Sequence, residues 1–307
     1  MKKYSKLVHL FLLLTFFLGH INTAAQGYLK EKVEVKSASN KQLNYRAEKI
    51  GRSDNADVSL NDLKQKKYTY VLVHGAFHGG WCWSKVANIL RSKGYRVFTP
   101  TFTGLGERSH LLNNEVDLNT FITDIKSVIE NEELQNVILV GHSFGGTVIS
   151  GVIDQMQDRI AGAVYLDATM GASGKSVFDG APADVKKARM DAAVSLSNTK
   201  AILPPASGAF GLTDREQVAW VDRRMTPMPF KSYETPLVLK NKVGGDIPKQ
   251  FIHAINPVLP NIVPSAKYAK DKGWYYSEIK TGHDAMVSMP KEVAKQLLSF
   301  VDKISRK

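Results

Sequence analysis

The sequence predicts an α/β fold in which a mostly parallel central sheet is flanked by helices and carries an inserted, mainly helical cap. Short apolar runs, typical of strands buried on both faces, alternate with stretches whose apolar residues recur every three or four positions, as on one face of a helix. The alternation stops at about residue 170 and resumes at about residue 248. This interruption indicates one domain, residues 68–307, with an insertion over its sheet.

Composition limits the classes of protein that are compatible with the chain. Its 307 residues are 43% hydrophobic and 23% charged, which is an ordinary globular composition with enough apolar mass for a large core. The formal net charge is +12, but the lysines are scattered rather than collected in one basic patch. We therefore interpret the charge as solvated surface and expect no nucleic-acid partner.

The N-terminus has the pattern of a secretory signal. Basic residues precede the apolar run Leu7–Leu18, and the small residues Thr23–Ala25 follow it. The run is shorter than the roughly 20 residues that span a bilayer, so no stable membrane anchor is expected. The sequence predicts a signal peptide over residues 1–25 and an extracytoplasmic mature chain starting at Gln26. Cys82 is the only cysteine, so no disulfide can form within the chain.

The first half of the domain alternates strands and helices. A polar, lysine-rich lead-in covers residues 26–67. The patterns that follow predict, in order, a buried strand at Tyr68–Val73, a helix from about Trp83 to Gly94, a strand at Tyr95–Thr99 and a helix capped by Asn119.

The next strand leads into Gly141-His142-Ser143-Phe144-Gly145. The apolar run Val137–Val140 predicts a buried strand, and apolar residues spaced by four after the motif predict a helix. Gly-x-Ser-x-Gly between a strand and a helix is typical of a nucleophile elbow, in which a strained turn exposes the serine hydroxyl. We interpret Ser143 as a nucleophile and His142 as a packing residue, because neighbours on a sharp turn point apart.

The second half continues the pattern around the insertion. A strand at Ile160–Leu166 is closed by Asp167, and the cap covers about residues 170–248. Helical stretches are expected at about Ala183–Val194 and Asp214–Arg224, strands at Lys249–Ala254 and Trp274–Ile279, and a closing helix at Glu292–Ile304.

A serine nucleophile needs an imidazole to accept its proton and a third group to orient that imidazole. His283 is the candidate base, because it follows the last strand directly and a loop there reaches the carboxyl edge of the sheet. Asp167 is the candidate acid, because it ends the strand after the elbow helix at the same edge. The alternative for Asp167 is a structural role at a strand end.

Two glycine-rich segments carry a resemblance to a known family. Val73-His74-Gly75-Ala76-Phe77-His78-Gly79-Gly80-Trp81, together with the elbow and Gly282-His283, resembles the α/β-hydrolase branch of plant methylesterases, hydroxynitrile lyases and bacterial carboxylesterases, including pyrethroid-hydrolase-like enzymes. The resemblance covers about residues 68–301. It implies the chain order serine, acid, histidine and an oxyanion hole made by the backbone N–H groups of Ala76 and Phe144.

The chain departs from this branch at two positions. The lyases carry a lysine directly after the catalytic histidine, and Asp284 stands there in this chain, so ester hydrolysis is favoured over cyanide chemistry. The usual carboxylate after the penultimate strand is replaced by Asn256, which competes with Asp167 for the role of the third group.

The sequence thus predicts a secreted serine esterase that hydrolyses small carboxylic esters through an acyl-enzyme, without a cofactor or metal. A lyase on the same fold and a binding protein without turnover are the alternatives. Several aromatic and methionine side chains fit either an apolar substrate pocket or the core: Phe77, Trp81, Phe144, Trp220, Met225, Met228 and Phe230. The substrate and the oligomeric state are not predicted.

Overall fold

A computed structural model describes residues 67–306 of the protein. The predicted signal peptide and, apart from Lys67, the lead-in lie outside the described residues. Within residues 67–306, none of the helices has the length and apolar character needed to cross a membrane.

Strands and helices alternate along the described chain as the hydrophobic periodicity predicts. The strands are β1 (Thr69–Val73), β2 (Arg96–Phe98), β3 (Val137–His142), β4 (Ile160–Leu166), β5 (Ala193–Leu196), β6 (Thr199–Ile202), β7 (Met228–Pro229), β8 (Lys249–Ala254) and β9 (Tyr275–Ile279). The α-helices are α1 (Ser84–Ser92), α2 (Leu118–Asn131), α3 (Gly145–Met156), α4 (Val177–Gly180), α5 (Ala183–Asp191), α6 (Arg215–Asp222), α7 (Lys231–Glu234), α8 (Val263–Asp271), α9 (Ala285–Ser288) and α10 (Pro290–Ser305).

Six strands form the central sheet in the order β2-β1-β3-β4-β8-β9, and every pair in it is parallel. The carboxyl ends of its strands therefore lie at one edge, where polar side chains from distant parts of the chain meet. The predicted fold class is confirmed.

Both faces of the sheet are covered by apolar side chains. Alternate residues of β3 enter different core clusters: Leu139 packs in one cluster, and Ile138 and Val140 pack in the other. This two-sided burial explains why the inner strands appear in the sequence as continuous apolar runs instead of alternating ones.

The insertion is only partly helical. Helices α5 and α6 lie where helical stretches were predicted, but β5, β6 and β7 form a second, three-stranded antiparallel sheet between and after them. Residues 193 and 194, predicted as the end of a helix, belong to β5. The cap is still mainly helical, as predicted, but it also contains a small sheet that the sequence pattern did not predict.

The start of α2 also differs from the prediction. Asp117, not Asn119, is the N-cap residue, and its side chain accepts a hydrogen bond from the backbone N–H of Thr120 at 2.9 Å. The Thr120 hydroxyl in turn accepts from the backbone N–H of Asp117 at 3.2 Å. This reciprocal pair is a capping box, which satisfies donors at the helix start that a cap at Asn119 would leave unpaired.

Candidate active site

The turn between β3 and α3 holds Ser143 in the left-handed backbone region, with φ at 53°. A Cβ atom on Gly141 would lie 2.8 Å from the carbonyl oxygen of Gly145, and one on Gly145 would lie 2.5 Å from the carbonyl oxygen of His74. Neither glycine can carry a side chain without moving the turn. The motif therefore has the strained strand-to-helix geometry that a nucleophile elbow requires.

His283 and Asp167 meet at the carboxyl edge of the sheet. The distance from His283 Nδ1 to Asp167 Oδ2 is 2.6 Å, and the two residues are 3% and 0% exposed. A carboxylate beside Nδ1 keeps the proton on that nitrogen, which leaves Nε2 as the nitrogen that can accept a proton.

Strand β8 holds the acid in place. Asp167 Oδ1 accepts a hydrogen bond from the backbone N–H of Ala254 at 2.9 Å, and the Asp167 N–H donates to the carbonyl oxygen of Ile252 at 2.7 Å. The backbone of Asp167 is itself left-handed, with φ at 42°. Sequence reasoning did not find this support, although β8 was predicted. The support could have been predicted from the order of strands in the parallel sheet, because β8 lies next to β4.

Ser143 and His283 line the same cavity, which has a volume of about 350 Å³ and mostly apolar walls. Because β3 and β4 are neighbours, the serine backbone is also tied to the strand that ends at the acid. The Ser143 N–H donates to Leu166 O at 3.3 Å, and the Thr169 N–H donates to Ser143 O at 3.1 Å. The structure thus brings the three predicted residues Ser143, His283 and Asp167 to one site.

The two residues of the implied oxyanion hole lie on either side of the serine. Ala76 and Phe144 both line the cavity, and Phe144 is the N-cap residue of α3. The loop before Ala76 touches the elbow, since a Cβ atom on Gly75 would lie 2.7 Å from Ser143 Cβ. The N-terminus of a helix of this length favours negative charge beside it. The structure thus places both segments at the cavity beside Ser143.

A second buried histidine and carboxylate lie behind this loop. His78 Nε2 is 3.2 Å from Asp284 Oδ2, and His78 Nδ1 is 2.7 Å from the carbonyl oxygen of Ala76. Burial acts to lower the pKa of His78, but the Asp284 carboxylate outweighs it and the pKa is raised. Burial acts to raise the pKa of Asp284, but His78 outweighs it and the pKa is lowered. Both shifts favour the charged forms, and the contacts of His78 tie the loop of Ala76 to Asp284.

Asp284 lies away from the cavity. Asp284 is fully buried and pairs with His78, and its side chain is absent from the walls of the described cavity. Its negative charge is balanced by His78 and does not act on a substrate directly. What still separates this site from that of the lyases is the absence of a lysine at this position.

Two further buried histidines are neutral. Burial lowers the pKa of His74 to about 3, and His74 Nε2 accepts a hydrogen bond from the backbone N–H of Phe102 at 3.1 Å. Burial and the neighbouring His283 lower the pKa of His142 well below its ordinary value. His142 Nε2 lies 3.0 Å from the carbonyl oxygen of His283, so it supports the loop that carries the base. Both have structural roles, as the sequence predicts.

Asn256 is not placed to replace Asp167. It is exposed, it does not line the cavity, and its backbone N–H donates to the carbonyl oxygen of Thr281 at 3.0 Å. His253, which had no role in the sequence reasoning, has its Nε2 4.0 Å from Asp167 Oδ1 and its Nδ1 2.8 Å from the Tyr276 hydroxyl. The groups around Asp167 therefore come from β8 and from the loop that carries His283.

The aromatic side chains suggested for a pocket divide into two groups. Phe77 and Phe144 line the cavity, together with Phe178, Phe210 and Tyr233. Trp81 packs against Trp220, with ring centroids 5.0 Å apart, outside the cavity walls. No group of three or more His, Cys, Asp or Glu side chains in residues 67–306 is arranged to hold a metal ion.

Comparisons with known proteins agree with this geometry. The model of the "Alpha/beta hydrolase family" matches residues 70–296. A "Carbendazim hydrolyzing esterase" of Nocardioides sp. (strain SG-4G) is 39% identical over 241 residues, which are 75% of this chain and 98% of that protein. A "Pyrethroid hydrolase" of Sphingobium wenxiniae is 26% identical over 246 residues, which are 76% of this chain and 87% of that protein.

Plant methylesterases of Arabidopsis thaliana match too, although the chain spans only about a third of the length of those first compared. Among solved structures, an "Extracellular alpha/beta-hydrolase from Paenibacillus species" is similar with a TM-score of 0.66 and 26% identity, over 76% of this chain and 98% of that one. The resemblance drawn from the glycine-rich segments is confirmed.

Proposed function

The chain belongs to the alpha/beta hydrolase family and is a carboxylic ester hydrolase, and we propose that it cleaves small esters through an acyl-enzyme formed on Ser143. The observation that carries this proposal is the 2.6 Å contact between His283 Nδ1 and Asp167 Oδ2, next to a cavity shared by His283 and Ser143. Such an arrangement is what a serine hydrolase needs to activate its hydroxyl at neutral pH.

The first half of the reaction forms the acyl-enzyme. Ser143 Oγ attacks the ester carbonyl carbon while His283 Nε2 takes the hydroxyl proton, and the carbonyl oxygen becomes an anion. The backbone N–H groups of Ala76 and Phe144 stabilise that anion, each typically contributing about 3 kcal/mol to lowering the barrier. The tetrahedral intermediate then collapses, and the alcohol leaves with the proton that His283 returns.

The second half releases the acid. Water enters, His283 takes its proton, and the resulting hydroxide attacks the acyl carbon bound to Ser143. Collapse of the second tetrahedral intermediate returns the proton to Ser143 and frees the carboxylic acid. Asp167 stays ionised and stabilises the imidazolium that forms in both halves.

The size and character of the cavity support small, largely apolar substrates. Its volume of about 350 Å³ and its aromatic walls suit a short acyl chain or a small ring. Relatives named for carbendazim and pyrethroid hydrolysis support cleavage of ester-type bonds in such molecules.

We also propose that the mature protein is extracytoplasmic. The basic residues, the apolar run Leu7–Leu18 and the small residues Thr23–Ala25 support this, and so does similarity to a structure described as extracellular. Mass spectrometry of the native protein from its host should find an N-terminus at or near Gln26 in the extracytoplasmic fraction. An intact Met1 in the cytoplasmic fraction would refute the secretion proposal.

Substituting the nucleophile tests the enzymatic proposal. We expect Ser143→Ala to lose at least about a thousandfold in kcat toward p-nitrophenyl acetate, because removing a triad member leaves only the residual effect of binding and the oxyanion hole. A fluorophosphonate probe should label the native protein and not this variant. Ser92→Ala, a change on the exposed end of α1, is the matched control and should keep full activity.

Near-full activity of Ser143→Ala would place the nucleophile elsewhere. Absence of both labelling and turnover in the native protein would instead favour a ligand-binding protein on this fold.

A further inference from the structure

One wall of the cavity is cationic. Helix α5 and the segment before it contribute Lys175, Lys186 and Arg189 to the lining, and none of the described lining residues is an aspartate or glutamate. The nearby Asp179 does not line the cavity, and its Oδ2 is occupied by the backbone N–H and hydroxyl of Ser176 at 2.9 and 2.8 Å. The hydrogen bonds from Ser176 and the charges of Lys175 and Lys186 act to lower the pKa of Asp179, so this carboxylate offsets part of the charge of the two lysines but does not pair with Arg189.

Among the lysine and arginine side chains of the lining, Arg189 is the one that lies over the ring of Phe77. Its guanidinium carbon lies 4.8 Å from the centroid of the Phe77 ring, and Phe77 follows Ala76 in the oxyanion loop. Burial raises the pKa of Tyr233 and the charge of Arg189 acts to lower it, so the guanidinium is within electrostatic reach of that hydroxyl. The Tyr233 ring is in turn 5.3 Å from the ring of Phe144, which follows Ser143.

The hydrogen-bond donors of Arg189 lack protein acceptors. Its side chain is half-buried, and among residues 67–306 no carboxylate lies within 4.0 Å of it and no protein oxygen accepts its N–H groups. The Phe77 ring covers one face of the guanidinium, but the five N–H donors lie in its plane and a ring face does not satisfy them. A carboxylate accepts two of these donors at once, and an alkyl group accepts none.

We infer that Arg189 selects esters that carry a carboxylate at the end remote from the scissile bond, such as half-esters of dicarboxylic acids. With the scissile carbonyl at Ser143, the rest of the ester extends along Phe77 and Tyr233 toward the cationic wall. The apolar walls bind the intervening methylene groups, and Arg189 pairs with the distal carboxylate. The inference rests on the proposed esterase function and adds the charge of the substrate to it.

The test compares two esters of equal chain length, monomethyl adipate and methyl hexanoate, at neutral pH. Arg189→Met should lower the ratio of kcat/KM for the half-ester to that for the neutral ester by about 10- to 100-fold, because a hydrogen bond to a charged group typically contributes about 1.5–3 kcal/mol. Arg189→Lys, which keeps the charge but loses the paired donors, should lower the ratio less.

The matched control lies on the same helix. Lys187 has the same charge as Arg189 but does not line the cavity, and it is 2.6 Å from Asp191 on the exposed side of α5. Lys187→Met should leave the ratio within about twofold of the native value, because an exposed ion pair contributes little. Comparable effects of both variants would indicate a diffuse surface field and overturn the role of Arg189.

Failure of this inference is distinguishable from failure of the esterase proposal. Turnover of p-nitrophenyl acetate with an unchanged ester ratio in Arg189→Met would overturn the inference alone. If the native protein shows no esterase turnover, the inference can still be tested by calorimetry of monomethyl adipate binding to Ser143→Ala. The half-ester should bind at least about tenfold more weakly to Ser143→Ala/Arg189→Met, and equal binding would overturn the inference.

Discussion

Two buried histidine–carboxylate pairs lie in the same site, and they differ in what the second nitrogen of each ring meets. In the pair of His283 and Asp167, Nδ1 contacts the carboxylate and the ring borders the cavity. In the pair of His78 and Asp284, Nε2 contacts the carboxylate and Nδ1 contacts the carbonyl oxygen of Ala76.

This difference makes His283 the candidate base and gives His78 the role of holding the loop of Ala76. Both partners of His78 are hydrogen-bond acceptors, so each of its nitrogens carries a proton. The ring therefore has no nitrogen that could accept another proton. Its raised pKa agrees with this state. In the proposed mechanism, His283 holds one proton on Nδ1 and uses Nε2 to accept the proton of Ser143. A buried histidine beside a carboxylate is therefore a candidate base only if one nitrogen remains without a protein partner.

The largest effect on activity is expected at the first pair. Asp167→Asn should lower kcat by at least about a hundredfold, because an amide no longer stabilises the imidazolium, and the corresponding change in a serine protease costs about 10⁴. Asp284→Asn should lower kcat less than about tenfold in the fraction that folds. Steady-state kinetics with p-nitrophenyl acetate, with circular dichroism as the check on folding, decides between them. The reverse order would exchange the roles of the two pairs.

The largest effect on stability is expected at the second pair. Asp284→Asn should reduce the free energy of unfolding by about 3–5 kcal/mol, because removing one member of a buried ion pair leaves the His78 charge without compensation. Urea denaturation followed by tryptophan fluorescence measures this loss. A loss below about 1 kcal/mol would show that the pair is not ionised in the folded protein.

The pH dependence of that loss sharpens the comparison. The pKa of His78 is raised above 6.5 in the folded protein. Its contribution to the free energy of unfolding is therefore complete below pH 6.5 and is lost as the pH rises through the pKa of the folded state. The pKa of Asp284 is lowered below 3.8 in the folded protein. Its contribution to the free energy of unfolding is therefore present above pH 3.8 and is lost as the pH falls through the pKa of the folded state. His74, whose pKa is about 3, occurs in both proteins and cancels.

The stability difference between the native protein and Asp284→Asn should therefore be largest between about pH 4 and 6.5 and shrink on either side. Denaturation curves at intervals across this range would test it. A difference that keeps growing above pH 8 would contradict an imidazolium at His78.

The smallest effect is expected at Asn256. Because this residue is exposed and outside the cavity walls, Asn256→Ala should change kcat less than about twofold. A loss comparable with that of Asp167→Asn would indicate that Asn256, and not Asp167, orients the imidazole of His283.

The features that could be predicted from the sequence are those that arise from local constraints. Continuous apolar runs exist because the parallel strands are buried on both faces, so β1, β3 and β4 were predictable. The glycines of the elbow were predictable because a tight turn has no room for side chains, whatever surrounds it. Membership of a parallel sheet then placed Asp167 near Ser143, since the ends of neighbouring strands share an edge.

Contacts between side chains that are far apart in the chain could not be predicted in this way. His78 and Asp284 are 206 positions apart, and no periodicity relates them. The sequence showed only that Asp284 replaces the lysine of the lyases, and packing pairs it with His78. Arg189 likewise looked like one solvated charge among several until the cap placed it over Phe77. The physical reason is that periodicity describes the backbone of one element, whereas pairing between side chains depends on how separate elements pack.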